Sequence, residues 1–412
     1  MRTHIVFLTF VFFSSVAFPK IEVLFHPADP TLEKIGQWLQ EAKSTVDIAM
    51  YEMDASLKSP FIVALASDSV QARLKSKQLS IRLIYEGYDS PQGNAKKMAQ
   101  LEQLGIDVRF LTSSKAVHHK FAVFDSALEN SRVVSGSANW SLGSFNAYDE
   151  NILFFDREAV VTTAFANEFE LLWSHSTEFG NSFSYNTKPL PSVDPSNTES
   201  IFFNSPKHLL KDPSAEHDLP LQIIAQINSA QKDLLIATTR ARIIPVLEAL
   251  RAAAERGVKI RILLGQDDYH DLANRSQWLL IPSNIELRVK FYNLVPGNFM
   301  RYQMHNKFMI IDHEKVLTGS FNWSNASQTD NIENLILLSG SSAAEILPDF
   351  VNRFELLWKN GRDGLLQFEN ELRTDQENQI LPACAFNPIS LSYAEINQIL
   401  QLAPKCGHAT GR

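Results

Sequence analysis

The sequence predicts an α/β fold made twice over, two homologous sandwich domains with mixed sheets. Two observations carry this. Strand-like and helix-like segments alternate along the chain. The second half then repeats the first in the same order.

In the first half, Val46 to Met50 is expected as a strand and residues 60 to 76 as one helix. Leu79 to Tyr85 follows as a strand, Asn94 to Leu104 as a helix stopped by Gly105, and Ile106 to Phe110 as a strand. In the second half, Ile244 to Arg256 reads as a helix ended by Gly257, and Val258 to Leu264 as a strand.

The repeat is visible residue by residue. Ala42 to Ala49 lines up with Ala230 to Ala237, and Ile81 to Ile84 with Ile260 to Leu263. Phe169-Glu170-Leu171-Leu172-Trp173 recurs letter for letter as Phe354-Glu355-Leu356-Leu357-Trp358. The offsets drift from 188 to 179 to 185, as loop insertions would cause. A solenoid needs three or more short units, so this is a pair of domain-sized copies. The division is a first domain over 18–183, a linker over 184–200 rich in Pro, Ser and Asn, and a second domain over 201–360. Residues 361–412 find no counterpart in the first half and are expected to form a C-terminal extension.

At 412 residues and 45% hydrophobic, the chain can bury two cores. Residues 1–17 have a basic start, the apolar run Ile5 to Phe13, and small residues at Ser15 and Ala17, the pattern of a signal peptide. The run is well short of the roughly 20 residues a spanning helix needs. Export to a periplasmic or extracellular space is therefore expected. The net charge of −8 does not steer the protein toward polyanions. The two cysteines, Cys384 and Cys406, are candidates for a disulfide in an exported chain.

One element in each half holds more functional residue types than packing requires. The first contains His118, Lys120 and Asp125, then Gly136-Ser137-Ala138-Asn139-Trp140, then Glu150. The second contains His305, Lys307 and Asp312, then Gly319-Ser320-Phe321-Asn322-Trp323, then Glu333. His and Lys at i and i+2 on a strand share a face, so an imidazole and an ammonium can converge on one phosphate. Asn139 and Asn322 can donate to phosphoryl oxygens without adding charge. Glu150 and Glu333 suit a histidine ring nitrogen, fixing its tautomer. Asp125 and Asp312 end strands, where a turn-capping or supporting role is favoured over direct chemistry. Ser137 and Ser320 either bind phosphate or shape the loop. Trp140 and Trp323 are expected to pack. Neither half has the spacing of a metal site, and no metal or cofactor is expected.

This doubled pattern resembles the signature of the phospholipase D superfamily over roughly residues 20 to 360, and two copies in register make the match specific. The opening Ile21 to Phe25 and the compact halves are similar to the branch with bacterial periplasmic endonucleases and mitochondrial cardiolipin hydrolase. The resemblance implies two halves packed about a pseudo-twofold axis with both motifs in one cleft. It implies a phosphohistidine intermediate, with His118 as nucleophile and His305 as acid, although the residues alone do not rank them. Lys120, Lys307, Asn139 and Asn322 would neutralise the phosphoryl oxygens. Because both motifs lie in one chain, a monomer is expected.

For substrate, acidic charge and export favour a phospholipid diester. The alternative is a metal-independent endonuclease on DNA or RNA. Minor alternatives are a phosphatidyl transferase and a non-catalytic phosphate-binding module. The segment Tyr292 to Tyr302, with Pro, Gly and aromatic residues, is a candidate loop at the cleft mouth and a place for peripheral membrane contact.

Overall fold

The computed structural model describes residues 19–86, 91–111, 113–180, 190, 192–194, 196–268, 282–292, 302–377 and 388–402. The expectations about the signal peptide, the disulfide and most of the Tyr292 to Tyr302 loop fall on residues outside that set.

The strands of the first half are β1 (Lys20–His26), β2 (Thr45–Met50), β3 (Ser80–Tyr85), β4 (Ile106–Leu111), β5 (Ala116–Val117), β6 (Lys120–Phe124), β7 (Arg132–Gly136), β8 (Tyr148–Asp156) and β9 (Ser176–Glu178). Those of the second are β10 (Glu199–Phe203), β11 (Asp233–Thr238), β12 (Lys259–Gly265), β13 (Ile285–Phe291), β14 (Gln303–Met304), β15 (Lys307–Ile311), β16 (Lys315–Gly319), β17 (Asn331–Ile332), β18 (Asn334–Leu338) and β19 (Ile389–Ser392).

They form two large sheets with orders β1-β8-β7-β6-β2-β3-β4-β9 and β10-β18-β16-β15-β11-β12-β13-β19. The orders match position by position. Both sheets are mixed: β2, β3 and β4 run parallel, as do β11, β12 and β13, while β6 and β15 are antiparallel to β2 and β11. The central strands β6 (Lys-Phe-Ala-Val-Phe) and β15 (Lys-Phe-Met-Ile-Ile) are buried at every residue, as strands covered on both faces must be.

Two expectations change. The helix expected over 60–76 is two helices, Pro60–Leu65 and Asp68–Lys75. Ser67 between them is extended, and its hydroxyl accepts the Val70 N–H, starting a new helix where continuous apolar spacing suggested none. The C-terminal segment is also more than an appendage. Its strand β19 pairs antiparallel with β13, the place β9 takes beside β4. The counterpart exists in space but was too short to find by alignment.

Three cores stack through the molecule. One lies between the first sheet and the helices Thr31–Glu41, Pro60–Leu65 and Pro91–Gln103. A second lies between the other sheet and the helices Leu219–Ser229, Ile244–Glu255 and Tyr393–Leu402. The third draws on both halves and includes the helices Ala159–Ser174 and Gly340–Trp358. Phe25, Phe121 and Phe165 meet Phe308, Phe350 and Phe354 there, all buried. Each such ring contributes about 1.5–3 kcal/mol. Phe25 and Phe350 make the contact across the halves, ring centroids 5.2 Å apart and edge-on.

Candidate active site

The two halves exchange backbone just ahead of each motif. In β14, Gln303 and Met304 pair with Tyr148 and Asp149 of β8, and the His305 N–H donates to Asp149 O at 2.9 Å. In β17, Asn331 and Ile332 pair with Ala116 and Val117 of β5, and the His118 N–H donates to Ile332 O at 2.9 Å. Each motif histidine is thereby registered against the residue that precedes the other half's glutamate.

The side chains complete the exchange. His305 Nδ1 lies 2.6 Å from Glu150 Oε1. His118 Nδ1 lies 2.8 Å from Glu333 Oε1, in ion-pair contact though off the line of a hydrogen bond. With Nδ1 of both rings against a carboxylate, Nε2 is the nitrogen left for a ligand. The glutamates are fully buried. Ser137 and Ser144 donate to Glu150 at 2.6 and 3.0 Å. Ser320 bonds Glu333, and Asn331 Nδ2 donates to it at 3.2 Å. The serines left open by the sequence therefore hold the carboxylates. Ser137 Oγ and Ser320 Oγ also accept the N–H groups of Asn151 and Asn334 at 2.9 and 3.0 Å.

The two sides are electrostatically unequal. Burial would raise Glu150, but His305, Lys307 and Ser137 bring it below the ordinary carboxyl range. Burial pushes Glu333 up to about 7 despite Lys120, Ser320 and Asn331. Burial, then the charges of Lys120, Lys307 and His305, holds His118 well below an ordinary imidazole. His305 is lowered by burial too, with Glu150 acting against the shift. The crossed strand pairs and the crossed histidine–glutamate contacts bring the two motifs together.

Lys120 and Lys307 are 1% exposed. Their ammonium groups donate to His118 O at 2.6 Å and His305 O at 2.7 Å. Burial, with the opposite half's lysine against it and glutamates for it, takes Lys120 down to about 7. Burial likewise takes Lys307 to about 8. Two buried lysine side chains and two imidazoles are thereby gathered at the site. Asn139 Oδ1 and Asn322 Oδ1 are buried without a hydrogen-bond partner among the described residues; the vacancy is on the accepting atom of each amide, and only Nδ2 can donate to a phosphoryl oxygen.

Gly136 and Gly319 are required by close approach. A Cβ there would lie 2.3 Å from Asn151 O and 2.4 Å from Asn334 O. Trp140 and Trp323 are 1% and 2% exposed and pack, as expected.

Asp125 and Asp312 stand apart from the cleft. Asp125 accepts the N–H groups of Lys43, Ser44 and Thr45 and the Ser44 hydroxyl at 2.6–3.2 Å. Asp312 accepts those of Gln231, Lys232 and Asp233 at 2.7–3.1 Å. Both sit at positive φ, 53° and 54°. They tie the end of the motif strand to the start of its neighbour, the capping role rather than the chemical one.

Comparison with known proteins fits this arrangement. A family model described as "Cardiolipin synthase, PLD-like domain" matches residues 35–173 and again 223–358. The chain belongs to the phospholipase D superfamily. Among curated phospholipase D-like relatives, the mitochondrial cardiolipin hydrolase of Xenopus laevis is 35% identical over 100 residues, 24% of this chain and 45% of that protein. Phospholipase D of Rickettsia conorii is 34% identical over 132 residues, 32% of this chain and 62% of that protein. The matched segment is thus about half the length of these relatives. Of solved structures, phosphatidylserine synthase from Haemophilus influenzae superposes with a TM-score of 0.57 at 15% identity, over 81% of this chain and 85% of that one. At that identity the likeness is one of fold.

Several site residues carried no motif. Tyr51 packs edge-on against His118 with ring centroids 4.6 Å apart, and Tyr148 lies 5.6 Å from His305. His119, between the motif residues, is fully buried and reaches Glu168 at 2.8 Å and Asn334 at 3.0 Å. Asp149 holds Lys290 at 2.5 Å, Arg353 at 2.7 Å and the Tyr292 hydroxyl. The adjacency of Asp149 to Glu150, and of Tyr51 to an aligned strand, was the available signal.

Proposed function

We propose that this protein is a phosphodiesterase that hydrolyses a phospholipid diester through a phosphohistidine on His118. The observation that carries the reading is the crossed pair of histidine–glutamate contacts, which leaves two Nε2 atoms and two buried lysines around one space. Of the two rings, His118 is the more strongly held neutral, which suits a nucleophile. His305, against an ionised Glu150, suits the proton donor.

In the first step the His118 Nε2 lone pair forms a bond to phosphorus. The bond from phosphorus to the leaving alcohol breaks, and the His305 Nε2 proton goes to that oxygen. In the second step water loses a proton to His305 as its oxygen bonds to phosphorus, and the phosphorus–nitrogen bond breaks. Lys120, Lys307, Asn139 and Asn322 face the non-bridging oxygens. Both histidines being in one chain, a monomer suffices.

The phospholipid choice is supported by the net charge of −8, which opposes approach to a polynucleotide. The apolar run at Ile5 to Phe13, followed by Ser15 and Ala17, supports export. The test is a side-by-side assay of pure protein on phosphatidyl lipids in neutral micelles and on single- and double-stranded nucleic acid. Lipid hydrolysis with a trapped phosphohistidine is expected. Faster cleavage of nucleic acid would overturn the substrate, and no cleavage of any diester would overturn the enzyme.

A further inference from the structure

The cleft is symmetric in backbone but not in charge. After β2 the chain continues Tyr51, Glu52, Met53, Asp54, and after β11 it continues Thr239, Arg240, Ala241, Arg242. These stretches are equivalent in space as well as in sequence. The Tyr51 N–H donates to His119 O at 2.9 Å, and the Thr239 N–H to Asn306 O at 3.1 Å. Met53 bridges to Trp140, and Ala241 to Trp323. Glu52 and Arg240 therefore occupy the same place beside the first and second motifs, with opposite charge.

Their neighbours differ in the same sense. Asp54 is matched by Arg242. Arg242 is already engaged, its Nε 2.5 Å from Asp268 Oδ1. Arg240 is not: its Nε is buried with no hydrogen-bond partner among the described residues. It stands near enough to Lys307 for its charge to disfavour the lysine's own. Glu52 acts on Lys120 in the opposite direction. A part-buried guanidinium next to a second cation is unfavourable unless an anion comes between them.

We propose that Arg240 is a specificity residue that pairs with a second anionic phosphate on the alcohol leaving from the His305 side, while Glu52 excludes such a group from the His118 side. This rests on the phosphodiesterase reading above and names the class of lipid, one whose head alcohol itself carries a phosphate. The opposite charges also fix which way an unsymmetrical diester lies between the two histidines.

Two lipids in neutral detergent micelles test this, phosphatidylglycerol and phosphatidylglycerol phosphate, which differ by one phosphate on the leaving alcohol. The ratio of their kcat/KM values is the readout, because loss of folded protein leaves it unmoved. Wild type favours the phosphorylated alcohol. Arg240→Gln lowers the ratio by at least about ten-fold, the scale of a hydrogen bond between charged groups, and Arg240→Lys recovers part of it. Calorimetry with glycerol bisphosphate against glycerol phosphate gives the same comparison without turnover. Unchanged ratios in Arg240→Gln would overturn the proposal, as would an oligonucleotide cleaved faster than either lipid. If neither lipid is hydrolysed, the phosphodiesterase reading fails, while the affinity ratio still decides the role of Arg240.

Discussion

Glu150 Oε1 lies 2.6 Å from Nδ1 of His305, a residue 155 positions further along the chain and in the other half of the molecule. Its mirror contact joins Glu333 to His118 at 2.8 Å. Each histidine takes its carboxylate partner from the other half.

The first prediction follows from that exchange. Glu150→Gln should cost about 10²–10⁴-fold in kcat, as loss of an orienting carboxylate does elsewhere. It acts through His305, so adding Glu150→Gln to His305→Ala should cost little more. A double-mutant cycle on kcat checks this, and additive losses would refute the pairing.

The pH profile gives the second. The active form needs His118 neutral and His305 protonated. His118 is held well below 6.5, and His305 below 6.5 by less. Activity should therefore rise as His118 loses its proton and fall as His305 loses its own, with kcat/KM bell-shaped and peaking on the acid side of 6.5. Glu150 raises His305, so in Glu150→Gln the alkaline limb should move to lower pH. A limb that stays in place in that variant would count against His305 as the acid.

Asp125 supplies the third. Asp125→Ala removes one carboxylate that accepts three backbone N–H groups and a hydroxyl. It also puts alanine at φ 53°. The expected loss is about 2–4 kcal/mol of stability, with kcat of the folded fraction within a few-fold of wild type. Denaturant unfolding alongside active-site titration separates the two effects.

A fourth concerns the surface of the joint. Burial, with Glu199 and Glu345 nearby, pushes Glu158 up to about 7 from 4.5. Below 4.5 it is protonated folded or unfolded and costs nothing. As pH rises toward 7 the unfolded chain ionises more easily than the folded one, so stability is lost through that window. Glu158→Gln should raise Tm by a few degrees at pH 8 and leave it unchanged at pH 4. Equal shifts at both values would point to packing instead.

Much of this was legible in the sequence because it was written in short range. Strand periodicity located β2, β3, β6 and their copies, and His-x-Lys spacing located the two histidines and the two lysines. What stayed hidden depends on which half meets which. Glu150 and Glu333 sit at equal distances after their glycines, so spacing could not tell a glutamate serving its own histidine from one serving the other. Strand β19 was missed because four residues, Ile389–Ser392, are too few to align. The break at Ser67 was missed because apolar spacing ran through it, while the capping hydroxyl acts locally.

The unlike pair Glu52 and Arg240 bears on what gene fusion makes available. An assembly of two identical single-motif chains must present the same side chain at both ends of its groove. Joining the copies end to end removes that obligation. Each rim can then mutate alone, and a groove that began indifferent to direction can come to hold its ligand one way round.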